Sequence, residues 1–172
     1  MRGGNKGKFP NLNSDSKSNW TKTQSEAVQT DGSVDVTLTS TNGDITFTRV
    51  VSLAENDDGS FAITSTHRNR ETVQTIAADA DGGVDVSFTT SSAAGEAVTR
   101  TVDLDLNELG ELVMTSSFTG ASGNTSTHSH TLDLASFLGA EDESLTVAEV
   151  TEAYLDMQGV DVTLPGIADL LI

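Results

Sequence analysis

Asp31-Gly32-Ser33-Val34-Asp35-Val36 returns fifty residues later as Asp81-Gly82-Gly83-Val84-Asp85-Val86. Working outward, Thr48-Arg49-Val50-Val51-Ser52-Leu53 returns as Thr99-Arg100-Thr101-Val102-Asp103-Leu104 at an offset of 51. Gly59 matches Gly110 at that same offset, and Ile63-Thr64-Ser65 matches Met114-Thr115-Ser116. The one-residue difference falls in the first hairpin of each copy, where an insertion costs little. The chain is read as a duplication, with copies at about 31–79 and 81–136.

Within each copy, apolar and polar residues alternate. Val34, Val36 and Leu38 form one such set; Ile45, Phe47, Arg49, Val51 and Leu53 another; Phe61 and Ile63 a third. The second copy adds Val84, Val86 and Phe88, then Val98, Arg100, Val102, Leu104 and Leu106. Period two with Thr and Val enriched is the pattern of half-buried strands. Ser and Thr total 43 of 172 residues, so the second face of such strands would be largely hydroxylated. Asn42-Gly43, Asp58-Gly59, Asp81-Gly82-Gly83, Ala94-Gly95, Gly110 and Gly120 to Gly123 mark the turns, because tight hairpins need positive φ values. The expected class is mainly β, with two tandem antiparallel four-strand meanders. They would be arranged as a sandwich or a sheet-rich subunit, with an up-and-down barrel as the alternative. Thr146 and Glu149 have capping-box spacing, and Val147, Val150, Tyr154 and Met157 follow at helical intervals until Gly159. This predicts a C-terminal helix over 146–158, with Pro165 opening a short final turn.

Charge divides the chain. Nine Lys and Arg face 26 Asp and Glu, for a net charge of −17. Residues 1–22 hold Arg2, Lys6, Lys8, Lys17 and Lys22 against Asp15, while no Lys follows Lys22. The segment lacks the apolar stretch of a secretory signal. It reads as a basic flexible arm, with Phe9, Pro10, Leu12 and Trp20 as anchors on an acidic surface. The expected organisation is this arm, a duplicated β-domain at 23–138 and a helical segment at 139–172. The acidic body opposes nucleic-acid binding, and no apolar run reaches the roughly 20 residues of a membrane span. With no cysteine, disulfides, thiolate metal sites and Cys nucleophiles are excluded.

Three kinds of chemistry-bearing residue stand out. His128 and His130 are two apart on a strand, so both side chains share one face and offer two metal nitrogens. Acidic turns at Asp79, Asp81 and Asp85, at Asn56, Asp57 and Asp58, and at Glu141, Asp142 and Glu143 offer hard oxygens for weak calcium binding. Arg49 and Arg100 fall at equivalent points of the repeat on apolar strand faces, where a cation needs a partner: an acid, or a ligand carboxylate or sugar. No Gly-x-Ser-x-Gly, phosphate loop, dinucleotide fingerprint or His-Glu-x-x-His is present, and no enzyme is expected.

The ending Asp169-Leu170-Leu171-Ile172 is similar to the acidic-then-aliphatic tails of bacterial proteins exported in one step without an N-terminal signal. That resemblance implies an extracellular or cell-surface location, with a virion as the alternative. The expected role is a non-catalytic structural protein that forms homo-oligomers through strand edges and the arm, without a cofactor beyond weakly held calcium. A β-domain binding carbohydrate or a small ligand is the second expectation.

Overall fold

The computed structural model describes residues 19–68, 70–92, 97–120, 122–133, 137 and 145–172. Nine antiparallel strands form one open sheet in sequence order. They are β1 (Thr21–Val28), β2 (Val34–Asn42), β3 (Ile45–Glu55), β4 (Phe61–His67) and β5 (Arg70–Ala78), followed by β6 (Val84–Ser92), β7 (Ala97–Leu106), β8 (Leu112–Thr119) and β9 (Thr125–Leu132). The two meanders are therefore present, β2–β5 and β6–β9, and the β5–β6 pairing joins them edge to edge. β1 is added ahead of the first copy. β1 and β9 are not neighbours, so the sheet does not close into a barrel.

Alternation divides the sheet into two unlike faces. One carries Val34, Val36, Val51, Leu53, Ile63, Ile76, Val84, Val86, Val102, Leu104 and Leu112, each 0–1% exposed. The other is hydroxylated: Thr64 lies opposite Val73, which is followed across the sheet by Thr89, Thr99, Thr119 and Thr125. Hydroxyl pairs lace its far edge, with Thr115–Ser129 at 2.9 Å and Ser117–Thr127 and Thr119–Thr125 at 3.0 Å. Such cross-strand pairs each contribute about 0.2–1 kcal/mol.

A single sheet cannot bury an apolar face alone. Among the described residues two helices supply the second layer: α1 (Val147–Met157) and α2 (Pro165–Leu170). α1 starts where the capping box predicts. Thr146 Oγ1 accepts from the Glu149 N–H at 3.2 Å, and the Glu149 carboxylate accepts from the Thr146 N–H at 3.0 Å. Val150, Tyr154 and Leu155 point into the core. Gly159, at φ +79°, ends the helix in the left-handed conformation. α2 then buries Ile167, and its Gly166 N–H donates to the Glu26 carboxylate of β1 at 3.0 Å. Among the described residues, no helix is long and apolar enough to cross a membrane. Thr146→Ala is expected to cost about 1 kcal/mol, read as a lowered urea midpoint with an unchanged slope.

Candidate functional site

Three features can carry function: an acidic cluster on the hydroxylated face, paired clefts beside α1, and the edges of the sheet. The first two are set by the duplication.

In the first copy both oxygens of Asp35 accept hydrogen bonds from neutral side chains. Asp35 lies opposite Ser52 and accepts from the Ser52 hydroxyl, and its other oxygen accepts from Gln29 Nε2 at 2.7 Å. The second copy places carboxylates at all the corresponding positions. Asp85 lies opposite Asp103, Asp79 stands where the first copy has Gln29, and Asp105 stands where it has Ala54. Single carboxylate oxygens of Asp79, Asp103 and Asp105 lie within 4.8 Å of one another. Asp79 Oδ1 is engaged by the N–H groups of Asp81 and Gly83, both at 2.8 Å, which leaves Oδ2 facing the cluster. Gly83 is needed there. A Cβ on it would lie 2.8 Å from Asp79 Oδ2 and 2.5 Å from the Leu104 carbonyl, and closer still to Asp105 Oδ1.

Like charges directly opposite in a sheet repel. Partial burial and the neighbouring aspartates hold the Asp103 carboxyl above its ordinary value of 3.8, and the same causes raise Asp105. The Asp79 and Asp105 carboxylates and the Leu104 carbonyl lie against Gly83, with an Asp103 oxygen within 4.8 Å of those of Asp79 and Asp105, and carboxylates and carbonyls are the hard-oxygen donors that calcium takes. Asp79, Asp81 and Asp85 were legible as a cluster in sequence; Asp103 and Asp105 were not. The alignment of the copies already set Asp103 against Ser52, and one residue pair further Asp105 against Ala54; the signal was the gain of acids where the first copy has none.

The clefts flank the C-terminal end of α1, one per copy. The first, about 550 Å³, is lined by residues that include Lys22, Leu38, Phe47, Arg49, His67, Arg70 and Gln158. The second, about 420 Å³, is lined by Gln74, Phe88, Arg100, Met114, Leu132, Phe137, Tyr154, Met157 and Gln158. The equivalent arginines sit in equivalent places, Arg49 opposite Leu38 and Arg100 opposite Phe88. Their partners differ. Arg49 donates to the main-chain carbonyl of Gln158, supplying the positive charge that a helix C-terminus favours. Arg100 lies over the Phe88 ring, 5.7 Å from its centroid. The Phe88 ring in turn packs edge-on to Tyr154 at 5.7 Å. The expectation for both was a sheet-edge position or an acid partner, or else a ligand carboxylate or sugar; among the described residues Arg49 meets a carbonyl and Arg100 a ring. Burial pushes the Tyr154 hydroxyl above its ordinary value, with Arg100 opposing.

His128 and His130 lie on the exposed edge strand β9, opposite Ser116 and Met114. Among the described residues no third ligand group joins them. Trp20 packs on Phe47 with ring centroids 5.5 Å apart, and Lys22 lies in β1. Arg2, Lys6, Lys8, Phe9, Pro10, Leu12 and Lys17 of the basic arm, and the acids Glu141, Asp142 and Glu143, lie outside the described residues. No family model, curated protein or solved structure matches this chain.

Proposed function

We propose that the protein is a non-catalytic structural subunit that adds to copies of itself through the edges of its sheet, as a component of an extracellular filament, surface layer, matrix or virion. The observation that carries this reading is the pair of sheet edges. Among the described residues β1 and β9 each have one strand neighbour, and both are exposed along nearly their whole length. An edge presents unpaired N–H and C=O groups, a template for another strand. Joining β9 of one copy to β1 of the next is a heterologous contact, and a heterologous contact that does not close into a ring propagates as a filament. The hydroxylated face keeps such an array wettable, and calcium at the Asp79–Asp103–Asp105 cluster would relieve the repulsion between acidic subunits.

The test is light scattering on a sizing column, in calcium and then in chelator. The wild-type chain is expected to run as oligomers or longer assemblies. The double variant S126K with H128K puts lysines on β9 at exposed positions, and it is expected to run at the mass of one chain with its circular dichroism intact. A wild-type chain that stays monomeric in both buffers would remove self-assembly as the role. Deleting residues 1–18 in the same experiment asks whether the basic arm takes part.

A further inference from the structure

The geometry points to the cleft over β1–β5 as a binding site for an amphiphilic organic anion, a carboxylate head on an apolar body. This goes beyond assembly and does not depend on it.

Charge is the first argument. The chain carries 26 acids and only nine Lys and Arg, yet Lys22, Arg49 and Arg70 line this one cleft together with His67, and no described acid does. Among the described residues, none of the three cations has a carboxylate partner. Cations gathered without counter-charge repel one another, and an incoming anion relieves that cost. In an acidic protein such a spot draws an anion that most of the described surface repels.

Shape is the second. Arg49 lies on β3, His67 on β4 and Arg70 on β5, and His67 and Arg70 are direct cross-strand partners. Arg49 and Arg70 form a cationic end, and the His67 imidazole beside them adds a hydrogen-bonding group. Leu38 and Phe47, on β2 and β3, form an apolar wall beside it. Phe47 remains 46% exposed although Trp20 packs on it. Arg49 spends one donor on the Gln158 carbonyl, and a guanidinium has five. The volume, about 550 Å³, lies within the range of small-molecule sites. The head would meet Arg49, His67 and Arg70, with the body along Leu38 and Phe47 towards Lys22.

The duplication is the third. In the second copy Phe47 is replaced by Val98 and His67 by Phe118, and the corresponding cleft holds Arg100 as its one cation. The cationic set is thus particular to the first copy and is not a by-product of the repeat.

Trp20 is the only tryptophan and touches the wall of this cleft, so its emission reports occupancy. The full chain is titrated with octanoate, 1-octanol and acetate. Octanoate is expected to shift Trp20 emission saturably, at concentrations at least tenfold below those at which octanol or acetate act. The double variant R70Q with H67Q replaces two exposed residues and is expected to weaken octanoate about tenfold, the loss of a charge-assisted hydrogen bond. The proposal is overturned by no emission change up to the solubility limit. An equal response to octanol, which would mark a merely apolar surface, overturns it too, as does an unchanged octanoate affinity in the variant.

Discussion

Leu155→Ala is expected to lower the unfolding free energy by about 2–5 kcal/mol, the range for truncating a buried leucine. Leu155 is 0% exposed and lies on the α1 face that meets the sheet. The sheet has no second sheet behind it, so the residue cannot be replaced by repacking from another layer. Against a total of about 5–15 kcal/mol for a domain, the loss is large. A urea melt followed by far-ultraviolet circular dichroism measures it. Removing residues 145–172 altogether is the limit of the same argument. It uncovers a face lined by Val36, Val51, Ile63, Ile76, Val86 and Leu104, and the truncated chain is expected in the insoluble fraction. A midpoint shift of less than a few tenths of a kcal/mol for Leu155→Ala would mean that the helix layer does not hold the fold.

Asp103→Asn is expected to act in opposite directions with and without calcium. In chelator it removes one charge from the Asp85–Asp103 pair, and the melting temperature rises by the equivalent of about 0.2–1 kcal/mol. With calcium at the proposed site the wild-type chain is expected to gain stability by mass action, about 2.7 kcal/mol at a hundred times the dissociation constant, and the variant to lose that gain. pH gives an independent check. The folded pKa values of Asp103 and Asp105 are raised, so the folded state binds more protons than the unfolded one between 3.8 and those values. Stability in chelator therefore rises as the pH falls through the raised values and is lowest above them. Asp31, Asp58 and Asp161 oppose this below 3.8. Their pKa values are depressed by hydrogen bonds from Ser33, Ser60 and Thr163, and their stabilisation is lost as they protonate. A mildly acidic stability maximum in chelator, moved towards neutral pH by calcium, is the expected profile. A variant that melts below wild type in chelator would remove the repulsion argument.

What could be read in advance follows the range of the interactions. Strands β2, β3, β4, β6 and β7 were legible because period-two alternation and positive-φ turns are local properties; β5, β8 and β9, poorer in alternating apolar residues, followed only from the four strands expected of each copy. The N-terminus of α1 was legible because its capping box spans four residues, Thr146 to Glu149. β1 was partly hidden. Thr21-Lys22-Thr23-Gln24-Ser25-Glu26 has no apolar side, since it is an edge strand whose anchors are polar. Gln24 donates to the Gly159 carbonyl at 2.8 Å and accepts from the Asp161 N–H at 2.8 Å, bonds that no local pattern announces. The role of Arg49 was hidden likewise, because its partner lies 109 residues away. Its repeat partner Arg100 instead meets an aromatic ring, so equivalence in sequence did not carry over to equivalence in contact.

Neighbours in the sheet are neighbours in the chain, and topologies dominated by local contacts fold quickly. The helices break that rule: Gly166 reaches Glu26 across 140 residues. During synthesis at about 5–20 residues per second, the interval between the emergence of β4 and that of α1 is on the order of ten seconds. Throughout it the hairpins can pair while their apolar face has nothing to pack against. The order of translation thus opens a window in which a holdase or an export partner has a large target on the nascent chain, and the arrival of α1 closes it.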